Sequence, residues 1–343
     1  MKARKIILFV VVILVVVAVF CAWMFFGPTL QSPEGNFFYV HTGSGYNKVK
    51  NDLKKTKVIS NDFWFDKVAK YSGYEKNVKP GKYKITGGMS IVNLVRMLRA
   101  GRQAPVDFII TKLRTREDLA KKITNNFESD SNDVINFLNN NDSLLQFDID
   151  TNTIMTVIIP NTYTFTWNTN TQKILKKLYT EEEKFWNDSR LKDADRLHLT
   201  PKEVYTLASI VEEETNKQDD KGKIASVYIN RLRKGMRLAA DPTIKFAMKN
   251  FGLKRIYYKY LSFPSPYNTY VNAGLPPGPI CTPSIKTIDA VLQMPETDYI
   301  FFVARPDFSG FSDFASTYQE HLIYAKLYQQ ALDSLIKEKQ ENQ

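Results

Sequence analysis

Two cysteines and three histidines are all that this 343-residue chain holds of the residues that most often ligate metals or cross-link folds. Cys21 sits in an apolar N-terminal run and Cys281 lies far from it, so no disulfide framework is available. His41, His198 and His321 are scattered, with no H-E-x-x-H motif and no Cys/His cluster, which leaves a metal centre or other cofactor without support. No internal repeat is present, which removes the repeat architectures. Ser334-Leu335-Ile336-Lys337 has the spacing of a Ser-x-x-Lys peptidase, but in a polar helix and without the companion motifs, so it is set aside.

The chain is long enough for two modest domains and carries a formal charge of +11, from 47 Lys+Arg against 36 Asp+Glu. Such a balance suits an anionic partner: nucleic acid, a membrane surface or an acidic polymer. The N-terminus narrows the choice. Residues 1–5 (MKARK) form a basic tail, and 6–26 carry no charge and end at Gly27-Pro28. At about 1.5 Å per residue this run spans a ~30 Å hydrocarbon core. No A-x-A-like cleavage site follows it, and bulky Phe20 before Cys21 argues against lipidation. Lys2, Arg4 and Lys5 place the N-terminus in the cytoplasm by the positive-inside rule. The expectation is a single-pass anchor in the cytoplasmic (inner) membrane with the remaining chain outside, so nucleic acid is excluded in favour of lipid head groups and envelope polymers.

Residues 27–36 read as a linker, and 37–112 as a small α/β unit. That unit has a strand at FFYVHT, a helix ending near Ser60, a helix over 62–71 capped by Asp62, and a strand at PGKYKITGG. Its last helix is capped by Ser90 and stopped by Gly101. Residues 113–153 are a polar connection, with one short helix expected around Val134–Leu138 between flexible loops. From 154 to 343 the pattern predicts a buried strand over 154–165 stopped by Pro160, a helix over 171–190, a short helix at 288–294, a strand at 299–306 and a polar C-terminal helix over 316–340. Irregular alternation of strands and helices favours an α+β fold over a doubly wound parallel sheet.

Residues 207–217 read LASIVEEETNK, on a helix begun by the capping box Thr200-Pro201-Lys202-Glu203. At ~100° per residue, Val204, Leu207, Ala208, Val211 and Thr215 share one face, and Glu213 points away from it toward water. Glu212 and Glu214 fall on the two margins, where partial desolvation would raise a carboxyl pKa toward the range of a proton donor. The wheel does not choose between them, and ordinary boundary residues would look the same. A second amphipathic helix follows, ending at Gly235 with Asn230 and Arg231 near its end. A short strand and an Asp-Pro turn are expected after it. The Pro/Gly-rich stretch 265–283 then supplies Tyr267, Asn268, Thr269 and Tyr270, whose hydroxyls, amide and aromatic faces suit a sugar cleft or a rigid loop.

Five ordered segments, IPNTYTF (159–165), LASIVEEET (207–215), IASVYINRLRKGMRLAADPTI (224–244), YNTYVNAGLPPGPI (267–280) and FSDFASTYQEH (311–321), together resemble the YceG-like family of endolytic murein transglycosylases. The resemblance implies an N-terminal anchor, a LysM-like unit at 37–112 and an α+β catalytic domain at 154–343. It implies cleavage of the MurNAc–GlcNAc bond inside peptidoglycan glycan strands to leave 1,6-anhydroMurNAc ends, without a cofactor, on nascent strands near the membrane, in company with peptidoglycan synthases or division proteins. It points to Glu212 as the single general acid/base, with Glu214, Asn230, Arg231, Asp241, Thr243, Tyr267, Asn268, Thr269 and His321 around the substrate. A hydrolase using Glu214 or Asp241 as second carboxylate, and a non-catalytic glycan-binding scaffold, are the alternatives. The chain departs from the family pattern at Ala239-Ala240, where Gln-Ser or Gln-Thr is frequent, and at Met155, Asn161, Cys281 and Ser284, which bears on subsite contacts.

Overall fold

A computed structural model describes residues 2–253 and 255–341. The chain forms two compact units. One holds the chain up to Phe108 with Thr124–Ser129 and Thr164–Asn170; the other holds Ile109–Ile123, Asp130–Tyr163 and the chain from Thr171 onward.

The first unit begins with helix α1 (Lys2–Phe26). Its stretch Ala3–Phe26 contains an 18-residue window with a mean hydropathy of 3.4 and is long and apolar enough to cross a membrane. Strand β1 (Phe37–Val40), helices α2 (Tyr46–Lys55) and α3 (Asp62–Ser72), strand β2 (Gly81–Lys84) and helix α4 (Ile91–Ala100) follow. Strands β1 and β2 pair antiparallel, with Phe38 opposite Tyr83, both buried over Leu53, Phe65, Leu94 and Leu98. Ser90 Oγ accepts from Asn93 N at 3.3 Å, and Gly101 closes α4 at φ +68°, a left-handed stop that glycine takes without a Cβ clash. Asn61, rather than the expected Asp62, caps α3, through Oδ1 accepting from Phe63 N at 2.8 Å.

Beyond it come β3 (Val106–Ile109), α5 (Arg116–Asn126), α6 (Ser131–Leu138), α7 (Asn141–Leu144), β4 (Thr162–Phe165), α8 (Thr171–Phe185) and α9 (Asp188–Leu197). The expected helix at 134–138 is α6, but 154–157 is a short 3-10 turn, not the start of a strand. Asp150 Oδ1 accepts from the Asn152 and Thr153 amides and sets that turn. Residues 154–159 are all buried, and a continuous apolar run has no periodicity to separate turn from strand. The helix expected over 171–190 breaks at Trp186 because Asn187 caps a new one, accepting from Arg190 N at 3.1 Å.

The second unit is organised around α10 (Pro201–Glu214), followed by α11 (Gln218–Arg233), α12 (Asp241–Ala247), α13 (Tyr258–Leu261), α14 (Ile285–Leu292), β5 (Phe301–Ala304), β6 (Ser312–Ala315) and α15 (Tyr318–Glu341). The strand expected after Gly235 is not formed, and Asp241-Pro242 opens α12 instead of making a turn, since proline suits the first helical turn. Strands β5 and β6 pair antiparallel with Phe302 opposite Phe314. The described strands form three two-stranded sheets, in line with a mixed α and β fold and not a doubly wound one.

Helix α10 is not amphipathic in its setting. All eight residues from Val204 to Val211 are buried, under α9, α11, α12 and α14. A helix covered all round has no solvated face, so only its ends reach the surface. Its start is fixed by the capping box, with Glu203 N donating to Thr200 Oγ1 at 3.3 Å and Thr200 N to Glu203 Oε2 at 2.8 Å. Replacing Thr200 by Ala should destabilise the protein by about 1 kcal/mol, with Thr200→Ser near neutral. Chemical denaturation of both variants beside wild type checks this.

Candidate active site

The last turn of α10 carries Glu212, Glu213 and Glu214, three carboxylates at the end of a helix where the partial charge is itself negative. Each is held differently.

Glu212 faces α11 and α14. Its Oε2 accepts from Lys221 Nζ at 2.9 Å, from Ser284 Oγ at 3.1 Å and from the Thr287 hydroxyl. Lys221 is itself buried and also donates to Thr287 Oγ1 at 2.6 Å. Burial opposes ionisation of Glu212, but the hydrogen bonds from Thr287 and Lys221 and the charges of Lys221 and Lys112 outweigh it. Its pKa is held below the ordinary glutamate range. The hydrogen bonds and charges around Glu212 thus favour its carboxylate form.

Glu213, expected in water, is mostly covered. Arg114 Nη2 lies 3.1 and 3.0 Å from its two oxygens and Lys112 Nζ lies 3.1 Å from Oε1. Burial again opposes ionisation, and the Arg114 and Lys112 hydrogen bonds and charges overturn it, lowering the pKa.

Glu214 has no ion pair among the described residues. Its Oε1 accepts from the Tyr228 hydroxyl at 2.5 Å. Burial pushes its pKa up to about 7, aided by the charge of Asp241 and opposed by the Tyr228 hydrogen bond and the charges of Lys245 and Arg231. The carboxyl therefore exchanges a proton near neutrality.

Glu214 lines a cavity of about 370 Å³ with Tyr228, Arg231, Ala239, Asp241, Tyr270, Phe301, Phe302, Tyr318 and His321. Arg231 is fixed by donating from Nε to Ile300 O at 2.7 Å and from Nη1 to Leu238 O at 2.6 Å, and its guanidinium sits 5.6 Å from the Phe301 ring centre. Tyr270 donates to Asp241 Oδ1 at 2.6 Å. His321 stacks on Phe301 at 5.0 Å and 20°, and burial together with the Arg231 charge lowers its pKa, so it is neutral at pH 7. Ala239 holds φ +47°, a left-handed backbone unusual for alanine.

Of the residues expected around the substrate, the cavity thus gathers Glu214, Arg231, Asp241 and His321. The others do not line it. Asn230 donates to Thr297 O at 2.6 Å and Tyr299 O at 3.0 Å, tying α11 to the approach of β5. Asn268 is fully buried and donates to Leu261 O and Phe263 O, both at 2.9 Å. Thr243 and Thr269 are buried and joined by their hydroxyls at 2.9 Å, and Ala240 N donates to Thr269 Oγ1 at 3.0 Å. These buried side chains are committed to neighbouring backbone groups and shape the loop. Tyr267 packs on Phe246 at 4.7 Å in a separate recess of about 180 Å³ with Arg116, Asn152 and Lys249. The sequence reading missed Tyr228, Phe301, Phe302 and Tyr318. A tyrosine inside a helix otherwise rich in core residues carried no signal, since only the α10–α11 packing aims it at Glu214.

The buried Glu212–Lys221 pair makes a stability prediction. Lys221→Met should cost about 3 kcal/mol by stranding the Glu212 charge, and the double variant Lys221→Met/Glu212→Leu should recover most of it. Because the folded Glu212 pKa is depressed, its contribution is full above the unfolded value of about 4.3 and lost as pH falls through the folded one. Denaturation curves at neutral and acid pH check both statements, with the single-variant deficit shrinking in acid.

Residues 38–326 match the YceG-like family. The chain is 28% identical over 298 residues to an endolytic murein transglycosylase of Bacillus subtilis, covering 82% of this chain and 81% of that one. It is 26% identical over 299 residues to a Streptococcus pneumoniae protein of the same name, covering 76% of this chain and only 53% of that longer one. A crystal structure of a YceG-like protein from Listeria monocytogenes superposes with a TM-score of 0.55 at 27% identity, covering 83% of this chain and 97% of that chain. With the family match running through both units and the α10 site, this chain belongs to the YceG-like family.

Proposed function

We propose that the protein is a membrane-anchored endolytic murein transglycosylase whose single general acid/base is Glu214. The observation that carries the assignment is the contrast at the end of α10: two glutamates are neutralised by cations, and the third keeps a pKa of about 7 in an aromatic-lined cavity. Relatives named for endolytic cleavage of murein support the substrate class.

The chemistry needs one carboxyl group. Glu214 protonates the glycosidic oxygen between N-acetylmuramic acid and N-acetylglucosamine as the bond to the muramoyl C1 breaks. The carboxylate then takes the proton of the muramoyl C6 hydroxyl, whose oxygen closes on C1. No water enters, and the product is a 1,6-anhydro end. An ordinary glycosidase needs a second carboxylate to activate water or attack the sugar. Here the nucleophile is tethered to the substrate, which removes the entropy cost of capturing it. Tyr228 holds Oε1 and leaves Oε2 for the glycosidic oxygen. Phe301, Phe302 and Tyr318 give apolar faces for sugar rings, and Arg231 gives a fixed positive charge suited to the carboxylates of peptide stems.

Helix α1 fits a retained anchor. Its Phe20 and Phe25 pack edge-on against Trp64 at 6.3 and 5.0 Å, contacts with the first unit that support the anchor reading. The basic tail sets the N-terminus in the cytoplasm and the active site outside.

Purified protein acting on glycan strands should release anhydro ends, one water lighter than hydrolytic products, as read by mass spectrometry. Glu214→Gln should abolish cleavage by a factor of about 10³ or more, whereas Glu212→Gln should leave turnover measurable in proportion to the folded fraction. Reducing ends alone would mean hydrolysis, with Asp241 the carboxylate to test. The rate should fall as pH rises through about 7, where Glu214 loses its proton. Tyr228→Phe removes a hydrogen bond that favours the Glu214 anion, so this alkaline limb should move to higher pH while kcat drops about tenfold.

A further inference from the structure

The first unit holds a larger cavity that the proposed chemistry does not use, a groove of about 970 Å³ where the end of α1 meets α3 and α4. Phe25, Phe26, Val68 and Val95 give it an apolar floor, and Lys67, Lys70, Arg96 and Arg99 stand around it. The spacing explains the clustering: Lys67 and Lys70 are three apart on α3, and Arg96 and Arg99 three apart on α4, so each pair lies on one helix face. All four are exposed, and none forms an ion pair with a carboxylate among the described residues, although Lys70 helps to lower the pKa of Asp66. Lys67 instead lies 5.3 Å from the ring centre of Phe63.

The position of this groove is set by α1. Trp64 touches both Phe20 and Phe25, so the start of α3 lies level with the last turns of the apolar helix. Phe63 and Tyr71 are exposed beside it, the aromatic residues expected at a membrane–water boundary. The cations lie at the end of the span opposite Lys2, Arg4 and Lys5. The positive-inside rule concentrates basic flanks at the cytoplasmic end, so topology does not account for them. An apolar floor beside four cations that form no ion pair among the described residues, level with the end of the apolar helix, has the charge and the polarity gradient of one ligand class.

We infer that this groove binds the head group of an anionic phospholipid of the outer leaflet, its phosphate held by Lys67, Lys70, Arg96 and Arg99 and its upper acyl chain lying on Phe25, Val68 and Val95. The inference rests on α1 being a retained anchor. Bound lipid would hold the first unit against the membrane at a fixed face, in the manner of basic pockets that recognise acidic head groups.

The test is native mass spectrometry of the full-length protein in detergent with dioleoylphosphatidylglycerol or dioleoylphosphatidylcholine. The intact mass reports separately whether α1 is retained, and strand cleavage measured on the same sample reports separately on the enzyme. Wild type should keep one phosphatidylglycerol, release phosphatidylcholine, and hold its lipid against excess inorganic phosphate. K67Q/K70Q/R96Q/R99Q should weaken retention about tenfold or more. Val92→Trp, which fills the groove and leaves the charges in place, should weaken it as well. Equal retention of the two lipids, displacement by free phosphate, or undiminished binding by folded charge variants would each overturn the inference.

Discussion

The second unit depends on one electrostatic constraint: three carboxylates at the C-terminal end of a helix whose middle, Val204 to Val211, is buried. The helix dipole disfavours all of them there, and the packing around α10 leaves little water to help. Lys221, with Thr287 and Ser284, absorbs Glu212; Arg114 and Lys112 absorb Glu213. Glu214 receives a phenol and, among the described residues, no ion pair. Pairing Glu212 and Glu213 with cations limits the like-charge repulsion that a third carboxyl beside them would meet. In the proposed mechanism Glu212 and Glu213 are the paired neighbours of the one acid, Glu214.

The same division runs through the motifs that surround the site. Asn230, Thr243, Asn268 and Thr269 have the side chains of a sugar-binding cleft, yet each is spent on backbone. They fix the segments that present Ala239, Asp241 and Tyr270 to the cavity. Arg231 does both kinds of work, since its guanidinium is pinned to two carbonyls and still lines the cavity. A polar residue in a motif can therefore serve the chemistry without facing it.

Local signals in the sequence were reliable where a side chain answers a backbone group next to it. The Thr200 capping box, the Ser90 cap and the Gly101 stop all stand as read, because each is decided within four residues. Two local caps differ from the reading, Asn61 in place of Asp62 and Asn187 inside the helix expected over 171–190. The remaining failures at the site came where the deciding contact lies far along the chain. The helical wheel assumed that α10 has a wet face; α9, α11, α12 and α14 cover it, so Glu213 could not be placed in water by periodicity. Arg114 is 99 residues from Glu213 and Thr287 is 75 from Glu212, and no window over α10 contains them. The margins of the wheel did single out Glu212 and Glu214 as the pair to choose between. The contacts that distinguish them come from Lys221 and Tyr228, on a different helix.

The central claim is that three adjacent glutamates are separated by environment into two anions and one proton donor. Carbon-13 NMR titration of the side-chain carboxyls, assigned by single Glu→Gln replacements, measures this directly. The account predicts that Glu214 titrates near 7 while Glu212 and Glu213 titrate below the ordinary glutamate value of about 4.3. A near-neutral titration at Glu212, with Glu214 in the ordinary range or below, would contradict it.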